Sequence, residues 1–164
     1  MSQVTSSSKA RVTTPSDTEI LIEREFDAPK HLVYKAYTTP ELVSRWWPGR
    51  RGVMRSCEID LRPGGKWRYV MGAHGGAEVA FHGEFSGVVE NERIATTEVF
   101  GGAPPGTAPA LTVATFEESE GRTTLSMRMR VESREVRDAI LATGMEGGVQ
   151  EGMDILEQIA RELA

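Results

Sequence analysis

Through the middle of the chain, large apolar residues recur at every second position. In KWRYVM (66–71), Trp67, Tyr69 and Met71 share one face, and Lys66, Arg68 and Val70 share the other. Side chains alternate across a strand, so this period marks a strand with one face turned to a core. The same pattern predicts strands over 19–26 (EILIEREF), 53–61, 78–90 and 92–100, and over ALTVATFEES and RTTLSMRMRVE, which meet at Glu120-Gly121. Pro63-Gly64-Gly65 and Glu90-Asn91 supply tight turns. Six of these strands are consecutive with hairpin-length connections, which predicts an antiparallel meander. Gly83 and Gly87 inside 78–90 predict a bend or the close approach of another element.

Elsewhere the period lengthens. Behind Pro29, with Asp27 or Ala28 at the cap, Leu32, Val33, Ala36 and Tyr37 fall on one helical face. Thr39 then caps a second short helix with Pro40 in its first turn, a Leu42/Val43/Trp46 stripe, and a stop at Pro48-Gly49. Near the end, Ser133 caps REVRDAILA, with Val136 and Ile140 inward, and Thr143-Gly144 breaks it. After Gly147-Gly148, the residues Val149, Met153, Leu156, Ala160 and Leu163 form the stripe of a long amphipathic helix. The order is a strand, two short helices, six strands and a terminal helix, hence an α+β fold. A sheet of about seven strands is wider than one helix can cover, so it must curl around the helix, leaving room for a cavity. Residues 1–18, rich in Ser and Thr, are expected to be a disordered tail before a single domain over 19–164. GGAPPGTAP (101–109) is expected to be a flexible loop.

Four stretches carry a resemblance: FDAPKHLVYKAYTTPELVSRWWPG, DLRPGGKWRYVM, FHGEFSGVVENERI and TGMEGGVQEGMDILEQIARELA. The double tryptophan, the Arg-Pro-Gly-Gly turn and the Gly-Met-Glu-Gly helix start stand in the order seen in the START-like, or SRPBCC, superfamily. Within it, the chain is similar to the branch named for the activator of the heat-shock protein ninety ATPase. The resemblance implies a helix-grip fold, in which a curved antiparallel sheet grips the C-terminal helix. It also implies a deep apolar cavity, which in many relatives holds a hydrophobic small molecule. The superfamily includes cyclases, hydratases and resistance proteins, so the fold alone does not choose a function. The co-chaperone of the branch carries a separate N-terminal domain that engages the chaperone. The short expected tail leaves no room for it, so a chaperone partner is discounted.

Charge narrows the classes. The chain has 19 basic and 24 acidic side chains, a net charge of −5, which argues against a nucleic-acid partner. No apolar run approaches the roughly 20 residues of a membrane span, and no secretory signal opens the chain, so a cytoplasmic location is expected. Cys57 is the only cysteine, and the three histidines are scattered, so no disulfide, metal site or cofactor is expected. Arg45, Arg50, Arg51 and Arg55 surround the tryptophan pair. They read as a solvated rim, or as partners for an acidic head group entering beside Trp47. The sequence leaves monomer and homodimer open.

The candidate site follows from the alternation. Trp67, Tyr69, Phe81, Phe85, Phe100, Phe116 and Met127 would lie on the concave face, with Met145, Val149 and Met153 facing them from the helix. For any one of them, plain core packing competes with ligand contact. Trp46 and Trp47 stand about 100° apart on a helix. Trp46 continues the buried stripe, and Trp47 falls beside it, near the open end of the grip. Glu98 shares a face with Ile94, Thr96 and Phe100. If that face is concave, its carboxyl lies among apolar walls with a raised pKa, as a general acid or ligand anchor. A bulge or an edge position would turn it to solvent instead. The expected function is a small-molecule binding module. The alternative is an enzyme using the same pocket, with Glu98 or Tyr69 as proton donor.

Overall fold

The alternating stretches pair into one eight-stranded sheet, antiparallel throughout. The computed structural model describes residues 9–101 and 106–164; the first part of the expected tail and residues 102–105 of the expected loop lie outside the described residues. In chain order the elements are β1 (Arg11–Thr13), β2 (Glu19–Phe26), α1 (Lys30–Thr38), α2 (Pro40–Trp46), β3 (Gly52–Ile59), β4 (Lys66–Ala73), β5 (Glu78–Val89), β6 (Arg93–Phe100), β7 (Ala110–Ser119), β8 (Arg122–Arg130), α3 (Arg134–Ala142) and α4 (Met145–Glu162). The strand order is β1-β2-β8-β7-β6-β5-β4-β3. The two short helices carry the chain across the sheet, and the meander walks back until β8 closes on β2. Asn91 (φ 64°) and Glu120-Gly121 (φ 54° and 78°) take the left-handed conformation that the tight β5–β6 and β7–β8 turns require. Register shifts at Met54/Ser56 and Phe85/Gly87 add local bends.

Three expectations need correction. Part of the expected tail is ordered: β1 pairs with β2, setting Val12 opposite Ile22. The Ala10 N–H donates to Gln150 Oε1 (3.0 Å), and Gln150 Nε2 donates back to the Ala10 carbonyl (2.7 Å). A strand this short has no alternation to announce it, and Gln150 lies 140 residues from Ala10. Second, α4 begins at Met145 rather than after Gly147-Gly148, with Gly144 (φ 78°) as the break. The two glycines lie in its first turn because Arg51 presses there: a Cβ on Gly148 would stand 3.2 Å from Arg51 Cζ. Third, the N-cap of α1 is Pro29, not Asp27 or Ala28. At α3 the expected cap forms, the Val136 N–H donating to Ser133 Oγ (3.2 Å).

α1, α2 and α4 cover the inner face of the sheet. Phe26, Val33, Val43, Phe116, Leu125, Leu156 and Ile159 are all buried there. A polar clamp crosses this core. Arg24 belongs to the inward row of β2, opposite Leu125 on β8, and is almost wholly buried. Its guanidinium donates to the Met153 carbonyl (2.8 Å), to Asp154 Oδ1 (2.9 Å) and to Glu157 Oε1 (3.4 Å). The other Glu157 oxygen accepts the Asp27 N–H at 2.8 Å. Sheet and helix are thereby held in one register. On the other side of α4, Gly152 lets α2 come close: a Cβ there would stand 2.9 Å from the Trp46 carbonyl oxygen.

Candidate functional site

Between the inner face of the sheet and the first half of α4 lies a cavity of about 570 Å³. Trp67, Tyr69 and Met71 reach it from β4, Phe81 and Phe85 from β5, and Thr96 and Glu98 from β6. Met127 and Met129 come from β8, and Met145, Val149 and Met153 from α4. Trp46 and Trp47 close the end beside α2. The wall is built by mutual ring contacts. Trp47, half-buried, stands edge-on to both Tyr69 and Phe81, each with centroids 5.2 Å away. The Trp67 and Tyr69 rings lie 4.8 Å apart. Trp67 is held by its indole N–H, which donates to the Thr97 carbonyl on β6 at 3.1 Å. It can cross β5 because the residue opposite it is Gly83.

Two expected residues are elsewhere. Phe100 is the last residue of β6 and 46% exposed; its ring props Phe81 from outside the cavity, at 5.3 Å. Phe116 is buried beneath α1, edge-on to Tyr34 (5.3 Å) and Tyr37 (5.5 Å). Alternation placed both on the inner face, but a period of two says nothing about which part of that face a helix fills. The sequence reading passed over Tyr37 as a stripe residue of α1. Its ring stacks on Trp46 (5.5 Å) and its hydroxyl donates to Met127 Sδ (3.5 Å), so it lines the cavity as well. Ile22, on the inward row of β2, was legible by alternation in the same way.

The tryptophan pair divides its work. The Trp46 indole N–H donates to the Ala36 carbonyl (2.9 Å) and ties α2 to α1, and its ring is buried. Trp47 reaches the cavity and keeps part of its surface in solvent. Among the arginines, Arg51 lines the mouth, its guanidinium donating to the Gly144 carbonyl at 3.0 Å.

Glu98 faces the cavity, and its carboxyl has no hydrogen bond or ion pair among the described residues. Burial pushes its pKa up. Burial likewise raises the Tyr37 and Tyr69 hydroxyls, with the nearby Glu98 charge adding to both, so the phenols stay protonated. Burial also raises the Cys57 thiol, which removes the motive for an activated thiolate. Among the described residues, no group of His, Cys, Asp and Glu side chains is placed to hold a metal. The chemistry on offer is apolar and aromatic contact, one unpaired carboxyl, and phenolic hydroxyls.

The raised pKa carries a stability consequence. The folded state holds the Glu98 proton more tightly than the unfolded chain, so its contribution falls as pH rises above the ordinary glutamate range. Glu98→Gln removes the charge from the apolar cavity wall. The variant is expected to be more stable than the parent at pH values above neutral by about 1 kcal/mol, raising the melting temperature by roughly 2–4 °C. The gap should close toward acid pH. Thermal unfolding at acid and alkaline pH checks both the sign and the trend.

The family model for activator of Hsp90 ATPase homolog 1-like proteins matches residues 27–161, spanning α1 through α4. The chain belongs to this family. Its fold recurs in solved structures of low identity. A Rhodobacter sphaeroides protein superposes with a TM-score of 0.86 at 23% identity, over 94% of this chain and 99% of that one. A Nitrosomonas europaea protein gives 0.81 at 22% identity, over 91% and 97% of the two chains. A Chromobacterium violaceum protein gives 0.76 at 26% identity, over 88% and 98%. No curated protein matches the chain. Among the described residues, no helix is long and apolar enough to cross a membrane.

Proposed function

We propose that this protein binds an apolar or aromatic small molecule between its sheet and α4. The observation that carries this is the aromatic wall of Trp47, Tyr69 and Phe81, which turns onto a space of about 570 Å³ instead of onto packed core. Ligand pockets are typically about 300–1,000 Å³ and apolar, with a few polar groups that fix orientation. The methionines on the opposite side are side chains that repack around ligands of differing shape.

A thermal-shift and native mass spectrometry screen against lipids and polyaromatic compounds tests the proposal. A ligand at a hundred times its Kd should stabilise the protein by about 2.7 kcal/mol. Trp47→Ala should keep the fold, since the ring is only half-buried, yet lose about tenfold or more in affinity for whichever compound scores. Unchanged affinity in that variant would remove the wall from the site. The unpaired Glu98 favours a second reading, acid–base chemistry on the bound molecule with Glu98 or Tyr69 as proton donor. Turnover abolished by Glu98→Gln, with binding retained, would mark it.

A further inference from the structure

One polar group among the apolar walls of the cavity, the Glu98 carboxyl, narrows the ligand; the inference rests on the binding role proposed above. Four of the donors around the lining are spent on the protein itself, whereas the buried Thr112 hydroxyl has no partner among the described residues. The Trp46 indole goes to the Ala36 carbonyl (2.9 Å) and the Trp67 indole to the Thr97 carbonyl (3.1 Å). The Tyr37 hydroxyl goes to Met127 Sδ (3.5 Å), and the Thr38 hydroxyl to the Tyr34 carbonyl (2.7 Å). The strongest acceptor, the Glu98 carboxyl, has no donor among the described residues. The faces of the surrounding rings are negative as well. Positive charge sits at the mouth: the Arg51 guanidinium, pinned on the Gly144 carbonyl, lies against Gly147 and Gly148 where α4 begins.

We infer that the cavity takes a ligand with an apolar or aromatic body and an amine, and that the amine is held inside by Glu98. A carboxylate among apolar walls without a partner is costly, and an ammonium group beside it supplies both the charge and the missing donors. Aromatic faces attract the same cation. The Tyr69 hydroxyl, which lines the same cavity, can accept a further N–H of the ammonium group. A ligand carrying a carboxylate at that depth would face Glu98 with like charge.

The test uses three probes of one shape at neutral pH: methylnaphthalene, naphthylmethylamine and naphthylacetate. Affinities are read by amide NMR titration. The amine should bind the parent protein about tenfold more tightly than the hydrocarbon, and the acid most weakly. Glu98→Gln should bring the amine down to the affinity that the hydrocarbon has for the same variant. An amine no tighter than a hydrocarbon that does bind overturns this inference alone. So does an amine advantage that survives Glu98→Gln. Failure of all three probes to bind removes the binding role itself, and this inference with it.

Discussion

Arg24→Met is expected to cost about 3–5 kcal/mol of stability, the cost of breaking a buried ion pair from one side. The substitution leaves the Glu157 carboxylate, 6% exposed, with only the Asp27 N–H as partner. It also strips the Met153 carbonyl of the guanidinium and removes the cation from above the Phe26 ring, 4.8 Å away. The double variant Arg24→Met/Glu157→Gln should recover a large part of the loss. It removes the stranded charge, and the glutamine oxygen can still accept from Asp27. Urea unfolding of both variants checks the pair. If Arg24→Met costs less than about 1 kcal/mol, in the range of a surface ion pair, the clamp does not hold α4 on the sheet.

The second large effect is expected at Gly83. A Cβ there would stand 1.8 Å from the Thr97 carbonyl oxygen and 2.8 Å from Trp67 Nε1. Backbone and indole cannot both stay, so Gly83→Ala must push β5 from β6 or evict the indole from its hydrogen bond. Either outcome should cost about 3 kcal/mol or more, the upper range for overpacking. It would also disturb the cavity, because the Trp67 ring packs against Tyr69, which in turn meets Trp47. The near-ultraviolet circular dichroism of the tryptophans should change along with the stability. Gly87→Ala is the control: a Cβ there meets nothing nearer than 3.5 Å. Equal behaviour of the two variants would remove the close approach as the reason for Gly83.

Much of this architecture is visible in the sequence because one-face burial imposes a period. The alternation of Trp67, Tyr69 and Met71, and of Leu125, Met127 and Met129, reported the inner face of β4 and β8 correctly. Pro40, Pro48 and Ser133 marked helix boundaries through fixed φ or a cap. Depth along a face is different. Phe81 and Phe100 are direct partners in the β5–β6 ladder, yet one lines the cavity and the other is exposed at its rim. Trp47 packs edge-on to Phe81 at 5.2 Å, and that is a tertiary fact. Arg24 was written into the inward row of EILIEREF, between Ile22 and Phe26, but its partners lie more than a hundred residues away. β1 was hidden for a different reason: three residues pairing with β2 carry no period. For Glu98, alternation set it on one face with Ile94, Thr96 and Phe100 but left open a bulge or edge position that would turn it to solvent, and only the structure places it on the cavity.

The central claim is that the space between the aromatic wall and α4 is a binding site and not an imperfection of packing. The indole N–H signals of Trp46, Trp47 and Trp67, followed by NMR during titration with methylnaphthalene, test it most directly. The Trp47 signal should move and saturate, together with the amides of Phe81 and Val149, which face the same space. Amides on the outer face, such as those of His82 and Glu84, should stay still. A titration in which the Trp47, Phe81 and Val149 signals do not move, or in which shifts gather on the outer face, would contradict the account.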